Sequence, residues 1–171
     1  VLQSQSARRF NSTLSFGLIM NLVVALGTQD QDLTWKYLVN YDPMIANDPE
    51  TEKMARTLVE CALNFYRDFI EPAKRPYVPK ADELKQLTAW RNWLIYNPTA
   101  NAEEIEKAIY EIGRQHYDKP GKIFPLLYLV ILSQDRGPRL GALTTLLTSS
   151  RVIEASGQAL KAAEQVDPKD D

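Results

Sequence analysis

Three groups of cationic and aromatic side chains are the candidate functional residues of this sequence. The first group consists of Tyr66, Arg67, Lys74, Arg75 and Tyr77. The second consists of Arg114, His116, Tyr117, Lys119, Lys122 and Phe124, and the third of Arg136 and Arg139. Such residues bind single-stranded RNA by stacking with its bases and by hydrogen bonding to base edges. The same mixture is also typical of solvated helix ends, so the pattern alone leaves both interpretations open.

The third group lies in the stretch Ile123–Leu147, where a polar turn separates two apolar runs. The pair Gly137-Pro138 should end the first helix, and proline is tolerated at the first position of the next helix. The sequence therefore predicts a tight helical hairpin whose second helix presents Arg139 and free backbone amides at its N-terminus. Such a helix end suits a phosphate or a base edge. The alternative is a buried structural hairpin with an arginine at the surface.

No pattern of residues in the chain indicates an active site. There is no glycine-rich phosphate-binding loop of standard spacing, and one histidine and one cysteine argue against a His/Cys metal site. Paired carboxylates lie in the first turns of predicted helices, where capping and solvation account for them. Cys61 lies in an apolar helical pattern that indicates a core position. We therefore expect no catalytic residue, no metal site and no cofactor in this chain.

Composition and charge argue against a non-specific, charge-driven nucleic-acid binder. The 171 residues are 44% hydrophobic and 25% charged, with a net charge of -2. An acidic body still permits a local basic face, but we expect no DNA partner. The single cysteine excludes an internal disulfide bond and favours a cytoplasmic location. The apolar run Leu14–Leu26 is too short and too polar to span a bilayer, so no membrane partner is expected.

Helix start and stop signals predict an all-α bundle of about eight helices, without a convincing strand. Asn11-Ser12-Thr13 is an N-cap signal for an apolar helix that ends at Gly27, and Asp48-Pro49 starts an amphipathic helix. The predicted core face of that second helix consists of Met54, Leu58, Cys61, Phe65 and Phe69. The apolar spacing of a later helix, from about Ala102 to Tyr117, is likewise that of one buried face.

Three prolines between Pro72 and Pro79 exclude an α-helix there and divide the chain. We predict an N-terminal helical subdomain over residues 11–71 and a basic, proline-rich linker over residues 72–80. A C-terminal helical subdomain should follow over residues 81–164. The polar residues 165–171 are predicted to be a disordered tail.

Four stretches, in order along the chain, resemble segments of a known family. Leu58–Pro72 resembles a segment "YYRDFVKP", and Tyr110–His116 is similar to "YEVGKRH". Phe124–Gly141 ends in Gly-Pro-Arg-Leu-Gly, which matches "GPRxG", and Ser15–Leu26 resembles the leucine-rich helix that precedes this region. The family with these segments is the class I lysyl-tRNA synthetases, in their C-terminal part. Ser133 stands where that family usually has glycine.

The resemblance implies an α-helical cage that binds the tRNA anticodon, similar to the anticodon-binding domain of glutamyl-tRNA synthetases. It also implies a parent enzyme that charges tRNA with lysine. The ATP and Mg²⁺ would bind to a separate N-terminal nucleotide-binding domain, whose motifs are not in this chain. We therefore expect a fragment that is inactive by itself. Its expected partners are the anticodon loop of tRNA-Lys and the catalytic domain of the same polypeptide.

The resemblance turns the cations and aromatics into candidate RNA-binding residues. Lysine anticodons end in two uridines, and the uracil carbonyls can accept hydrogen bonds from an arginine or a backbone amide. The candidates are Arg139 and the backbone amides near Gly137 for base or phosphate contacts, Arg114, Lys119 and Lys122 for the RNA backbone, and Phe124 or Tyr117 for stacking. Arg136 is a further RNA-binding candidate. The alternative is a helical protein-interaction or scaffold domain that binds no RNA. A complete enzyme is a third possibility, and the lack of nucleotide-binding motifs argues against it.

Overall fold

A computed structural model of the chain describes residues 14–166, which form eight α-helices and no strand. The helices are α1 Phe16–Leu26, α2 Gln31–Tyr41, α3 Pro49–Phe65, α4 Leu84–Tyr96, α5 Ala102–His116, α6 Ile123–Leu132, α7 Leu140–Leu147 and α8 Ser149–Gln165. A π-helical turn, Tyr66–Ile70, extends α3, and short 3₁₀ turns occur at Pro43–Ala46, Glu71–Ala73 and Pro120–Lys122. The predicted all-α fold class is confirmed.

The first helix, α1, lies at the centre of the bundle, as its nearly all-apolar sequence predicts. It contacts α2, α3, α6 and α7, and Ile19 and Leu22 are fully buried. The predicted N-cap at residues 11–13 lies outside the described residues, and the helix begins later than expected. Its cap is Ser15, whose hydroxyl accepts a hydrogen bond from the Leu18 amide at 3.1 Å. Gly27, with a φ of 60°, ends the helix in the left-handed conformation as predicted.

Two cations bind the last carbonyls of α1, where the helix dipole is negative. Lys74 Nζ donates to the Val24 carbonyl at 2.6 Å, and the Arg151 guanidinium donates to the Leu26 carbonyl at 2.9 Å. Burial lowers the pKa of Lys74, and Arg151 lowers it further, while Glu71 partly opposes both effects. Lys74, a member of the first sequence group, therefore has a structural partner.

The predicted core face of α3 is wrong. Phe65 and Phe69 are 45% and 65% exposed, and Cys61 is exposed as well. The helix instead buries an adjacent face of smaller side chains, made of Ala55, Val59, Ala62 and Leu63. Small residues allow α1 and α2 to approach α3 closely, which the bulky stripe would prevent. Periodicity shows that α3 is amphipathic, but the neighbouring helices decide which face they cover.

One continuous core joins the helices on both sides of the proline-rich segment. Both α1 and α2, which precede the segment, pack on α7, which follows it. Beyond the Glu71–Ala73 turn the segment is irregular, and the Tyr77 hydroxyl donates to Glu83 at 2.6 Å near its end. Burial and this hydrogen bond raise the pKa of Tyr77 to about 12. The division into two subdomains around residues 72–80 stays a prediction.

The two helices predicted on either side of Gly137-Pro138 form, but they do not pack on each other as a tight hairpin. Instead α6 packs on α1, α5 and α8, while α7 packs on α1, α2, α5 and α8, and α7 begins later than predicted. Pro138 lies before the helix, because the Tyr128 hydroxyl donates to the Pro138 carbonyl at 2.6 Å and holds it outside. The Gly141 amide, in the first turn of α7, donates to a Glu106 carboxylate oxygen at 2.8 Å. The expectation of free amides at this helix end is therefore wrong for Gly141.

Replacing Ser133 with glycine tests a strained position at the end of α6. Ser133 ends α6 in the left-handed conformation, with φ 57° and ψ 29°, which costs a non-glycine residue roughly 1–2 kcal/mol. We expect Ser133→Gly to raise the free energy of unfolding by about 1 kcal/mol, since greater freedom of the unfolded chain offsets part of the gain. Urea denaturation measures the change. Ser150→Gly, inside α8, is the control and should give no gain, and equal stability of Ser133→Gly and the parent chain would contradict the prediction.

Candidate nucleic-acid interface

The eight candidate RNA-binding residues lie at the two ends of α6. Arg114, Tyr117, Lys119, Lys122 and Phe124 occupy the end of α5, the following turn and the start of α6. Arg136, Gly137 and Arg139 lie in the loop that follows α6. Because α6 has 10 residues, a helix of its length spans roughly 15 Å. The fold thus places the candidates in two groups along one helix, and not around one point.

Three aromatic rings on neighbouring turns of α5 and α6 connect these two groups. The Tyr110 ring meets the Phe124 ring edge to face, with centroids 5.0 Å apart. The Tyr128 ring, one turn further along α6, has its centroid 6.5 Å from that of Phe124. We call Tyr110, Phe124 and Tyr128 the aromatic strip. Tyr110 is 44% exposed, whereas the other two rings are half-buried, so Tyr110 offers the most surface for stacking.

Sequence reasoning identified Phe124 but missed Tyr110 and Tyr128. The spacing of Phe124 and Tyr128, four residues apart on one helix, was a signal that could have linked them. The contact with Tyr110 depends on how α5 packs against α6, and no local pattern gives it.

Burial raises the pKa of the Tyr128 hydroxyl, and Glu106 and Tyr110 raise this pKa further.

The loop after α6 packs directly on the aromatic strip. A Cβ atom at Gly137 would lie 2.7 Å from Leu132 Cδ1 and 3.1 Å from the Tyr128 ring. A side chain here would force Leu132 or the Tyr128 ring to shift, so glycine allows the loop its close approach to the ring. The Tyr128–Pro138 hydrogen bond then anchors the loop. These two contacts hold Arg139 next to the strip.

Removing the Tyr128 hydroxyl tests the anchor. We expect Tyr128→Phe to lower the free energy of unfolding by about 1 kcal/mol, because one hydrogen bond is lost while the ring remains. Urea denaturation gives the value. Tyr110→Phe is the matched control, since the Tyr110 hydroxyl makes no hydrogen bond within the described residues, and its stability should be unchanged. If the two variants are equally stable, the hydroxyl of Tyr128 is not an anchor.

Arg139 occupies a position that disfavours a cation. It is the N-cap residue of α7, it is exposed, and its side chain makes no hydrogen bond or ion pair within residues 14–166. N-caps favour short side chains that accept hydrogen bonds, and the positive end of the helix dipole repels a guanidinium. Glu106 supplies the cap contact instead, through the Gly141 amide. Arg139 therefore remains a candidate to bind an anionic or hydrogen-bond-accepting ligand, and its role stays a prediction.

The other candidate cations fall into two classes. Arg114 forms an exposed ion pair with Glu111, and Arg136 pairs with Asp135 at 3.4 Å. Exposed pairs of this kind contribute only about 0–1 kcal/mol, so a phosphate can replace the carboxylate at little cost. Lys119 and Lys122 are exposed, and neither makes an ion pair within the described part of the chain. Cations therefore border the aromatic strip at both of its ends.

Tyr117 lies in acidic surroundings. It is half-buried against the core, and its pKa is raised mainly by burial, with further contributions from Glu83 and Asp82. Phe124, by contrast, contacts both other rings of the aromatic strip. Of the two stacking residues expected from the sequence, the geometry favours Phe124.

Comparison with curated proteins finds lysine–tRNA ligases. Over 131 residues the chain is 32% identical to the lysine–tRNA ligase of Rickettsia prowazekii (strain Madrid E), which covers 75% of this chain and 24% of the ligase. The Rickettsia felis enzyme is 30% identical over 136 residues and the Rickettsia akari enzyme 32% over 130 residues, each with the same coverage. The chain thus spans about a quarter of the length of the curated relatives that it matches.

No family model matches the chain, and no solved structure matches it either. The α-helical cage similar to that of glutamyl-tRNA synthetases therefore stays a prediction. None of the helices within residues 14–166 is both long and apolar enough to cross a membrane. From the shared sequence, the chain is a relative of the lysine–tRNA ligases, related to a region that makes up about a quarter of those enzymes.

Proposed function

We propose that this chain binds tRNA and recognises the anticodon loop of tRNA-Lys through the aromatic strip and the cations at its two ends. The relation to lysine–tRNA ligases supports tRNA as the ligand. The observation that carries the proposal is Arg139, an exposed cation without a partner in the described residues, held beside the strip at a position that disfavours it.

Each part of the interface has a distinct task in this proposal. A loop base stacks on the exposed ring of Tyr110, which contributes roughly 1–3 kcal/mol. Lys119 and Lys122 attract backbone phosphates at one end of the strip. Arg139, at the other end, donates hydrogen bonds to the carbonyl oxygens of an anticodon uracil. The aromatic strip therefore lies between the phosphate contacts near the start of α6 and the base contact near its end.

The catalytic steps belong, in this proposal, to another part of the same polypeptide. A separate nucleotide-binding domain would bind ATP and Mg²⁺ and attach lysine to the tRNA. This chain would position the tRNA by its anticodon and would be inactive in aminoacylation by itself. This proposed function agrees with the cytoplasmic location predicted from the sequence.

Binding of an RNA stem-loop with the lysine anticodon tests the proposal. We expect the affinity to fall between about 50 and 200 mM salt, with a logarithmic slope of roughly -0.7 for each single-strand phosphate contacted. A control loop with cytidines in place of the anticodon uridines should bind more weakly. Absence of binding at low salt would refute the RNA ligand, and equal binding of both loops would refute anticodon recognition.

The second candidate function is that of a helical protein-interaction domain, and the exposed face of α3 favours it. Met54, Phe65 and Phe69 are 47%, 45% and 65% exposed, and the two phenylalanine rings lie 5.0 Å apart. Contiguous exposed apolar side chains often mark protein contacts. An apolar contact changes little with salt, so the same salt titration separates this function from RNA binding.

A further inference from the structure

A second aromatic surface lies in a groove between the end of α4 and the middle of α5. The groove has a volume of about 540 Å³, and its walls include Trp93, Tyr96, Pro98, Lys107 and Gln115. None of these residues belongs to the aromatic strip or to the candidates identified from the sequence. The groove is therefore a surface separate from the candidate interface.

The aromatic wall of the groove consists of one exposed ring and one ring that packs on the core. Tyr96, the last residue of α4, is 83% exposed, more than any other exposed large hydrophobic side chain among residues 14–166. Trp93 is half-buried one turn earlier, and its ring stacks on that of the buried Trp90, with centroids 6.1 Å apart and planes 5° apart. The exposed Tyr96 ring offers a planar ligand a stacking surface, and Trp93 joins this wall to the core.

The groove is lined by charged side chains of both signs. Lys107 is exposed on α5 and makes no ion pair or hydrogen bond within the described residues. Two carboxylates also line the groove, but both have partners. Glu104 accepts the Asn101 amide at 2.8 Å in the capping box of α5, and Glu111 is paired with Arg114. Lys107 is therefore available to an anion, while the Gln115 amide can donate to or accept from a base edge.

The groove and the aromatic strip occupy adjacent rows of the same helix. Positions 107, 111 and 115 line the groove, while Tyr110, which belongs to the strip, lies in the neighbouring row of positions 106, 110 and 114. The two rows are offset by one residue, which is about 100° around the helix axis. A single RNA strand that crosses α5 would therefore contact both surfaces.

We propose that the groove between α4 and α5 binds a second unpaired nucleotide of the RNA, with its base stacked on Tyr96 and its phosphate bound by Lys107. This inference rests on the proposed function, because it assigns a second subsite for the same ligand. The planar base requires the aromatic ring, and the phosphate requires the cation.

Tyr96→Ala tests this subsite in the complete chain with the lysine anticodon stem-loop. We expect about tenfold weaker binding, because the stacking surface is lost. Tyr96→Phe retains the ring and should bind as the unaltered chain does. Phe65→Ala, which removes an exposed ring from α3, is the matched control and should leave binding unchanged. Lys107→Ala should reduce the salt slope by roughly 0.7.

Abasic substitutions along the RNA loop identify the nucleotide. At one loop position, loss of the base should weaken binding to the unaltered chain about tenfold and have little further effect on Tyr96→Ala. Binding by Tyr96→Ala that equals that of the unaltered chain would overturn the subsite and leave the anticodon function in place. The subsite would also be overturned if loss of the base and Tyr96→Ala had additive effects on binding at every loop position. Absence of RNA binding by the unaltered chain would overturn both proposals.

Discussion

Arg139→Ala should weaken binding of the lysine anticodon stem-loop by about 1–3 kcal/mol, or roughly 5- to 150-fold, the value of one good arginine contact to a base. The loss should come from the RNA contact, because the side chain has no partner within the described residues. Removal of a cation from the N-cap of α7 should leave stability unchanged or slightly increased. Fluorescence anisotropy with labelled RNA measures the affinity.

The control for this variant is Arg67→Ala. It removes the same charge from an exposed residue near the end of α3, where Arg67 is bound to Asp68 at 2.8 Å. Its RNA affinity should change much less than that of Arg139→Ala. If the two variants bind equally well, Arg139 contributes only to net charge, and its assignment to the RNA fails.

Salt dependence separates the two contacts that Arg139 can make. A phosphate contact would reduce the logarithmic salt slope by roughly 0.7 when the arginine is removed, for all loop sequences alike. A base contact would leave the slope nearly unchanged and would reduce the preference for uridine. Titrations of both variants with the lysine anticodon loop and the cytidine loop distinguish these outcomes.

Gly141→Ala should destabilise the fold by about 3 kcal/mol, at the upper end of the usual cost of overpacking a core. A Cβ atom at this position would lie 2.1 Å from the Ala102 carbonyl oxygen and 2.8 Å from the Ala102 carbonyl carbon. Both are backbone atoms at the start of α5, so a side-chain rotation cannot relieve the clash. The displacement would also strain the hydrogen bond between the Gly141 amide and Glu106.

The matched control is Gly121→Ala. A Cβ atom at Gly121 would meet nothing within 4 Å, so the free energy of unfolding should change by less than about 0.5 kcal/mol. Urea denaturation of both variants gives the comparison. A Gly141→Ala variant as stable as Gly121→Ala would mean that α5 and α7 do not approach as closely as described.

These contacts divide the Gly-Pro-Arg-Leu-Gly stretch by role. Gly137 allows the loop to pack on Tyr128, and Gly141 allows α7 to pack on the start of α5. The Pro138 carbonyl accepts the anchoring hydrogen bond, and Leu140 is buried. Of the five residues, Arg139 alone has a side chain that the described part of the chain does not explain by packing or hydrogen bonding. Most of the pattern therefore serves the fold, and the proposed RNA contact depends on one residue.

Local sequence patterns predict the helices and several of their ends, because these depend on contacts within a few residues. Asp48 caps α3 by accepting the Thr51 amide at 2.9 Å, and Asn101 and Glu104 form a capping box at the start of α5. The regular apolar spacing of α5 likewise identified its buried face. In each case the residues that decide the structure lie three or four positions apart, so a local pattern contains the information.

The tertiary structure alone decided which face of α3 is buried and which residues form the aromatic strip. Tyr110 meets Phe124, and Glu106 binds the Gly141 amide, only because α5 packs beside both α6 and α7. The Glu106 contact joins residues 35 positions apart, beyond the reach of any helical period. Periodicity alone does not decide which face of an amphipathic helix is buried, and packing against distant helices does. The same packing places two groups of cations, separate in the sequence, at the two ends of the aromatic strip.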